Sequence, residues 1–396
     1  MTKSEYMNIL KERLSRFSQE LQDEILEDYN RHFAEGENQG KSEEEIIQEL
    51  GNIEEMIGEL AEVDSVRGQE TSKNRVSYGD EILEKEQKYC YEGDYKAIQL
   101  ECDVADIVLE PSENGRIQVD YENTGSEEYS RCFTFYQHEK DGVFYAGVKR
   151  EKERKVKLFG RTVTVNTNGV FGNFGNGGRI VLTVKVPREM PFLSFLTSSG
   201  NARAEGIQVH TLQGNTASGN LTVRKALVQK LETSTASGNL TIAEVVGTTL
   251  EASSASGNLK ASEVKAKEIS FSTASGGVSV KGASAETAEL NAASGSIRMD
   301  ADVKDCRCNT ASGSMDICIA GKARRIDISA ASGHAGLKLE NAGGMEADIQ
   351  TMSGFVNISW AGEGQKHVKG GTYRYGDGSC QVNVNVMSGS VHIVGR

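Results

Sequence analysis

The sequence predicts a mainly β fold: a parallel β-solenoid of about 19 residues per coil, right-handed, preceded by a small N-terminal three-helix domain. Three observations carry this expectation. A Ser-Gly pair recurs with Ser at 199, 218, 237, 256, 275, 294, 312, 332, 353 and 388, at intervals of 19, 19, 19, 19, 19, 18, 20, 21 and 35. A fixed period near 20 marks a repeat architecture. Around each pair, apolar residues alternate with polar ones, the period of a half-buried strand. Ahead of the repeats, residues 1–63 carry single apolar stripes at helical spacing. Handedness follows the usual sense of parallel crossovers.

The head comes first. "TKSE" at 2–5 and "SEEE" at 42–45 fit the capping box and open two helices. Tyr6, Leu10, Leu14 and Phe17 form one stripe, Leu21, Ile25, Tyr29 and Phe33 a second, and Ile46, Leu50, Ile53, Ile57 and Leu60 a third. Residues 1–65 hold 18 acidic and 6 basic side chains, so nearly all of the net charge of −13 sits here. That surface reads either as a solvated face or as an acidic docking face for a basic partner. The segments "YMNILKERLSRFSQELQDEILEDYNRHFAEG" and "GKSEEEIIQELGNIEEMIGEL" resemble the HAAS-type α-helical signalling domain of Gram-positive bacteria. The resemblance implies work beside PadR-like transcription regulators and membrane or envelope signalling proteins, and it brings no catalytic residue. Many proteins with this domain continue into membrane spans, whereas this sequence has no apolar run of that length.

Residues 64–90 are polar, lack periodicity and read as a linker. Residues 91–396 read as the solenoid: irregular first coils or a cap over 91–196, regular repeats over 197–359, an inserted loop and last coil over 360–396. In "AIQLECDVADIVLEP" Val104 takes the place of the corner Ser, which turns Ile98, Leu100, Cys102, Ile107 and Leu109 inward. Between 110 and 190 the repeat gives way to the longer strands "RIQVDYE", "RCFTFYQ", "VFYAGVKRE" and "RIVLTVKVP", with a Gly/Asn loop at 166–178. In the regular repeats, inward columns lie three and five residues after the Ser (Leu221 and Val223, Leu240 and Ile242, onward to Val391 and Ile393). Two more lie six and four residues before it (Leu231 and Thr233, Leu250 and Ala252, onward to Val382 and Val384). One coil cannot close a core, but stacked coils share faces and ladder hydrogen bonds.

The corner "TASGN" reads as structural punctuation. Gly suits a bend that needs φ > 0 or no Cβ. The corner Ser, on the inward parity, serves a bent backbone group with its hydroxyl. Asn201, Asn220, Asn239 and Asn258 are placed for a stacked amide ladder, and Gly277, Ser296, Ser314 and His334 then take that column, so the ladder is not obligatory. "KVPREMPFLSFLTSSGNARAEG" and the run of "TASGNL"-type corners resemble the bacterial "putative adhesin" family of β-strand-repeat proteins. That resemblance implies the fold and leaves adhesion as an analogy.

Composition and motifs exclude several chemistries. The acidic balance argues against nucleic acid as a partner. Seven Cys without a CxxC pair do not make a disulfide framework. No signal-peptide pattern opens the chain, so a cytoplasmic location is expected; a native leader would instead place it at the membrane or cell surface. Cys306 and Cys308 fall on inward columns and read as core, as does Cys102, whereas Cys318 and Cys380 fall off those columns and read as exposed. No His has metal-ligand spacing; His334 and His392 read as corner or surface residues. Glu232, Glu251, Glu289, Asp327 and Asp348, with Asp300, Asp302, Asp305 and Asp316, read as a soluble outer face, or as a cation or sugar groove. Thr222 and Thr241 start a column that continues through Lys260 and Arg298, which excludes an ice-binding Thr ladder. "GNFGNGG" lacks the Lys-Ser/Thr ending of a phosphate loop.

The inserted loop at 362–380 reads first as a cap hairpin that shields the far edge, and otherwise as a binding loop whose candidate residues, in and beside it, are Trp360, His367, Tyr373 and Tyr375. No catalytic residue, cofactor or metal is expected. The functional expectation is a non-enzymatic binding or scaffold protein of bacterial signalling or envelope response. Its acidic head docks a protein partner, a regulator or envelope protein, and membrane association comes only through that partner. The alternatives are a surface adhesin that binds glycan or protein, and a carbohydrate-acting β-helix enzyme.

Overall fold

The computed structural model describes residues 2–14, 26, 29, 30, 33, 41–50, 53, 86–125, 127–130, 132–150, 153–158, 161–166, 178–361, 364–368 and 370–396. The chain divides into two compact units, one of residues 1–82 with 155–164, the other of 83–154 with 165–396. It is mainly β with few helices.

In the first unit both capping boxes form. The Thr2 and Ser42 backbone N–H groups donate to the Glu5 and Glu45 carboxylates (2.9 and 2.8 Å), and the Thr2 and Ser42 hydroxyl oxygens accept from the Glu5 and Glu45 N–H groups (both 3.3 Å). Each box opens a helix, Lys3–Leu14 and Glu43–Leu50. The stripes meet as expected: Tyr6, Leu10, Leu14, Tyr29, Phe33, Ile46 and Ile53 form one buried cluster. Leu26, Tyr29, Asn30 and Phe33 are helical, while Phe17, Leu21, Ile25, Ile57 and Leu60 lie outside the described residues. The strands Glu153–Leu158 and Arg161–Asn166 make a separate two-stranded sheet.

The second unit is one mixed sheet folded around one core. Its long ladders are parallel, and through the regular repeats their register is the sequence period: Leu221 pairs with Leu240, Leu240 with Leu259, Leu259 with Val278, and Val278 with Ile297. On the other side, Leu231 pairs with Leu250, Leu250 with Ile269, and Ile269 with Ala288. The four inward columns are buried at every repeat from Leu221 to Ile393. Cys102 pairs with Thr197 and Ile107 with Ala202, the same offset on both sides of the corner, so Val104 does stand opposite Ser199.

A further inward segment emerges where the sequence suggested only a variable turn. Ile207, Ala226, Val245, Val264 and Ala283 recur 19 apart and are buried. The residue before each, Gly206, Lys225, Glu244, Glu263 and Gly282, turns the chain with φ between 50° and 70°.

Both ends of the stack depart from sequence order. At one end, strands Val143–Arg150 and Ile180–Val186 lie outside the repeat at 97–111. They are edged in turn by the antiparallel strands Phe133–Lys140 and Ile117–Asn123. Strand Glu86–Tyr91 pairs with Ile117–Asn123 and so begins inside the stretch expected to be linker. At the other end, strand Cys380–Gly395 inserts between Arg325–Leu339 and Gly344–Trp360. Ser332 pairs with Ser388, and Ser388 with Ser353, so the last repeat in sequence is the last but one in space. The repeat at 344–360 is then edged by the antiparallel strands Gly364–Val368 and Gly371–Gly376. Cys380, expected to be exposed, is buried, because it shares the inward face of its strand with Val382 and Val384.

Candidate functional site

The repeated corner absorbs residue types that elsewhere signal chemistry. The inward hydroxyl is not the Ser of Ser-Gly, which is exposed at 199, 218, 237 and 256, but the residue two before it. Thr216, Thr235, Ser254 and Thr273 are buried, and each donates to the carbonyl of the Gly one repeat earlier, at 3.0–3.3 Å. The Thr216 and Thr235 oxygens also accept from the N–H of their own Gly219 and Gly238, at 2.9 and 3.0 Å. The alternation fails inside the bend: Ala217 and Ser218 are both exposed, and Gly219 is buried. The corner Gly is required by close approach rather than by its φ, since a Cβ on Gly219 or Gly238 would collide with the preceding Gly carbonyl. The Asn ladder forms. Each of Asn220, Asn239 and Asn258 donates its backbone N–H to the side-chain oxygen of the preceding Asn, at 3.0 Å. Asp106 starts the ladder and Gly277 ends it.

The sulfur groups are structural as well. Cys306 and Cys308 are buried with their Sγ atoms 3.6 Å apart, and Met299 Sδ lies 3.8 Å from Cys306. Burial pushes the Cys102 thiol up to about 12 and the Cys380 thiol to about 11, and the neighbouring Cys306 thiol, with burial, pushes Cys308 up. Several of the outward acids are matched by bases. Glu232 pairs with Lys230, and Asp327 with Arg325 (3.0 Å) and Arg307 (3.8 Å). Among the described residues no three His, Cys, Asp or Glu side chains are placed to hold a metal ion.

The four candidate binding residues divide. Trp360 and Tyr375 are buried, stacked with ring centroids 5.6 Å apart, and the indole lies against Gly395. Tyr373 is half-buried against the same core. The His367 backbone pairs with Asn357, and its side chain lies outside the described residues. These aromatic residues sit where the antiparallel strands edge the final repeat.

A different cluster arises from the strand insertion. On the outer face, Asp316 pairs with Gly336, Gly336 with His392, and His392 with Asn357, in one row across four strands. In the next row, His334 pairs with Ser390 and Ser390 with Phe355. A groove of about 550 Å³ opens here. His334 Nδ1 and Ser390 Oγ are 2.8 Å apart. Gly336 leaves the floor open: a Cβ there would lie 3.2 Å from Asp316 Oδ1 and 3.3 Å from His334 Nε2. Arg298 reaches Asp316 at 3.9 Å, and Lys338 pairs with Glu340. Burial pushes the half-buried Cys318 thiol up, and the Glu340 and Asp300 carboxylates push it further, so it is a poor nucleophile. Asn357 Oδ1 is buried and accepts no hydrogen bond among the described residues. Sequence reasoning missed the site because His392 meets His334's strand only through the changed strand order.

The family model described as Toastrack DUF4097 matches residues 95–394, and a model described as HAAS matches residues 5–57. No curated protein matches the chain. Three solved structures resemble it at low identity. A "putative cell adhesion protein" from Clostridium sporogenes is 12% identical over 79% of this chain and 99% of its own, with a TM-score of 0.26. A "putative adhesin" from Bacteroides fragilis is 14% identical over 78% and 97%, with a TM-score of 0.32. A "putative lipid binding protein" from Parabacteroides distasonis is 16% identical over 78% and 96%, with a TM-score of 0.38.

Proposed function

From the premise that the chain belongs to the Toastrack DUF4097 family and carries a HAAS segment at its head, we propose that it is a non-enzymatic binding protein of bacterial signalling or envelope response. The HAAS head docks a protein partner, a regulator or an envelope protein, and the β unit offers a rigid surface. The β unit on this reading winds as a right-handed parallel solenoid of about 19 residues per coil, a period that the repeat registers support. The reading places the protein in the cytoplasm, with any membrane contact made through the partner. Among the described residues no helix is long and apolar enough to cross a membrane.

One observation carries the non-enzymatic reading. The repeated hydroxyls, amides and thiols are taken up by the stack itself, as corner bonds, ladder bonds and packing. Enzymes instead set perturbed acids and bases to converge on a cleft. The test uses the full chain as bait against a lysate of its own host, beside a variant with Glu12, Glu54 and Glu55 changed to Lys. A PadR-like regulator or envelope signalling protein co-purifies with the native chain and is lost with the variant. Equal capture by both, or no specific partner, overturns the docking role. Cell fractionation that finds the native protein outside the cell overturns the location.

A further inference from the structure

An apolar corner lies in the strand row of His334, which lines the groove over Gly336. The three most exposed large apolar side chains among the described residues are Met352 (82%), Phe355 (67%) and Met387 (52%). They stand together, because Thr351 pairs with Val386 and Ser353 with Ser388, which sets Met352 beside Met387. In the regular repeats the position before the Ser is Ala, as at 217, 236, 255, 274 and 293. Phe355 shares its row with Ser390 and His334, so its backbone position stands two strand spacings, about 9–10 Å, from that of His334.

The charges around the groove cancel. Lys281, Arg298 and Lys338 face Asp300, Asp316 and Glu340, and two of the three pairs are in contact. The uncharged groups are mixed donors and acceptors. With the hydrogen on Nε2, His334 accepts from the Ser390 hydroxyl at Nδ1 and presents a donor above Gly336, where Asp316 Oδ1 offers an acceptor. A face that drew anionic lipid would carry an excess of Lys and Arg beside its apolar side chains, and this one is balanced.

We propose that this face binds a neutral oligosaccharide of three or more units, with one ring stacked on Phe355 and a ring two linkages further along seated over Gly336 between His334, Asp316 and His392. Two strand spacings separate the Phe355 and His334 backbone positions, about 9–10 Å, which spans two linkages of a pyranose chain rather than one. Each ring offers an apolar face to an aromatic side chain and hydroxyls that both donate and accept, which is the chemistry that the corner and the groove present side by side. The open floor at Gly336 admits the ring, and any larger residue would close it. The proposal rests on the reading of the β unit as a binding surface and names its ligand class.

The test titrates the full chain with chitotetraose, cellotetraose and maltotetraose, followed by ligand-observed NMR and calorimetry. At least one of the three binds saturably. Phe355→Ala weakens that binding at least tenfold and His392→Ala several-fold, while Gly336→Val abolishes it, all with an unchanged melting temperature. If Gly336→Val lowers the melting temperature, the exposed Phe355→Ala and the half-buried His392→Ala variants decide. No saturable binding by any probe at millimolar concentration overturns the proposal, as does binding indifferent to Phe355→Ala. Sedimentation with vesicles of anionic phospholipid that depends on Met352 and Met387, without sugar binding, overturns it in favour of a lipid surface. Partner capture by the acidic head is read separately, so failure here leaves the docking role standing or falling on its own.

Discussion

At a single corner, Thr235 to Gly238, each residue has one physical task. The Thr235 hydroxyl bridges the Gly219 carbonyl and the Gly238 N–H, and both partners are buried. Thr235→Val leaves both unsatisfied and costs about 1–3 kcal/mol. Gly238→Ala forces a Cβ onto the Gly219 carbonyl and costs roughly 3–4 kcal/mol. The exposed neighbour, changed as Ala236→Ser, shifts stability by no more than about 0.5 kcal/mol. At Glu244, φ is 56°, a left-handed conformation that Asn tolerates better than Glu, so Glu244→Asn stabilises by up to about 1 kcal/mol. Equilibrium denaturant melts of the four variants check all four. Much of this was legible in the letters, because a repeated T-A-S-G-N must do the same work each time. The inward hydroxyl was misplaced onto Ser because strand alternation was carried through a bend, where Ala217 and Ser218 both face out.

Among the elements, the two head helices depend on their capping boxes. The Thr2 and Ser42 backbone N–H groups hold the Glu5 and Glu45 carboxyls below the ordinary value. A lowered folded pKa means that the stabilisation is full above the unfolded value, about 4.3 for Glu, and is lost as pH falls through the folded value. Amide NMR signals of Tyr6 and Ile46 therefore hold steady from neutral pH down to about 5 and broaden only on further acidification. The double variant Glu5→Gln and Glu45→Gln loses this acid step. These helices, the four inward columns and the long strands between 110 and 190 could all be placed from periodicity alone. The further buried segment at Ile207, Ala226, Val245 and Val264 could not, since its apolar residues follow a turn and are too few to show a local period. Its recurrence every 19 residues was the signal that would have found it.

For the β unit as a whole, the order of strands decides what the surface can do. Sequence order would set the repeat at 388 beyond the one at 353, with the inserted loop as a side feature. The observed order instead brings His392 beside Gly336 and His334, and it leaves Trp360 and Tyr375 packed under the antiparallel edge. Parallel repeats of one period fit in either order, because Ser332, Ser353 and Ser388 carry equivalent corners, so local patterns are silent on the choice. The deciding features are the antiparallel strands at 364–368 and 371–376, which fit only an outermost edge and close it against further pairing.

Disulfide trapping tests this order directly, since Ser332, Ser353 and Ser388 are all exposed. In a chain with the exposed Cys90 changed to Ser, cysteine pairs are placed at 332 and 388, 353 and 388, or 332 and 353. Adjacent strands stand about 4.8 Å apart and alternate ones about twice that, beyond disulfide reach. The account predicts rapid cross-linking of the first two pairs and none of the third. Cross-linking of 332 with 353 while 332 with 388 stays reduced would contradict it.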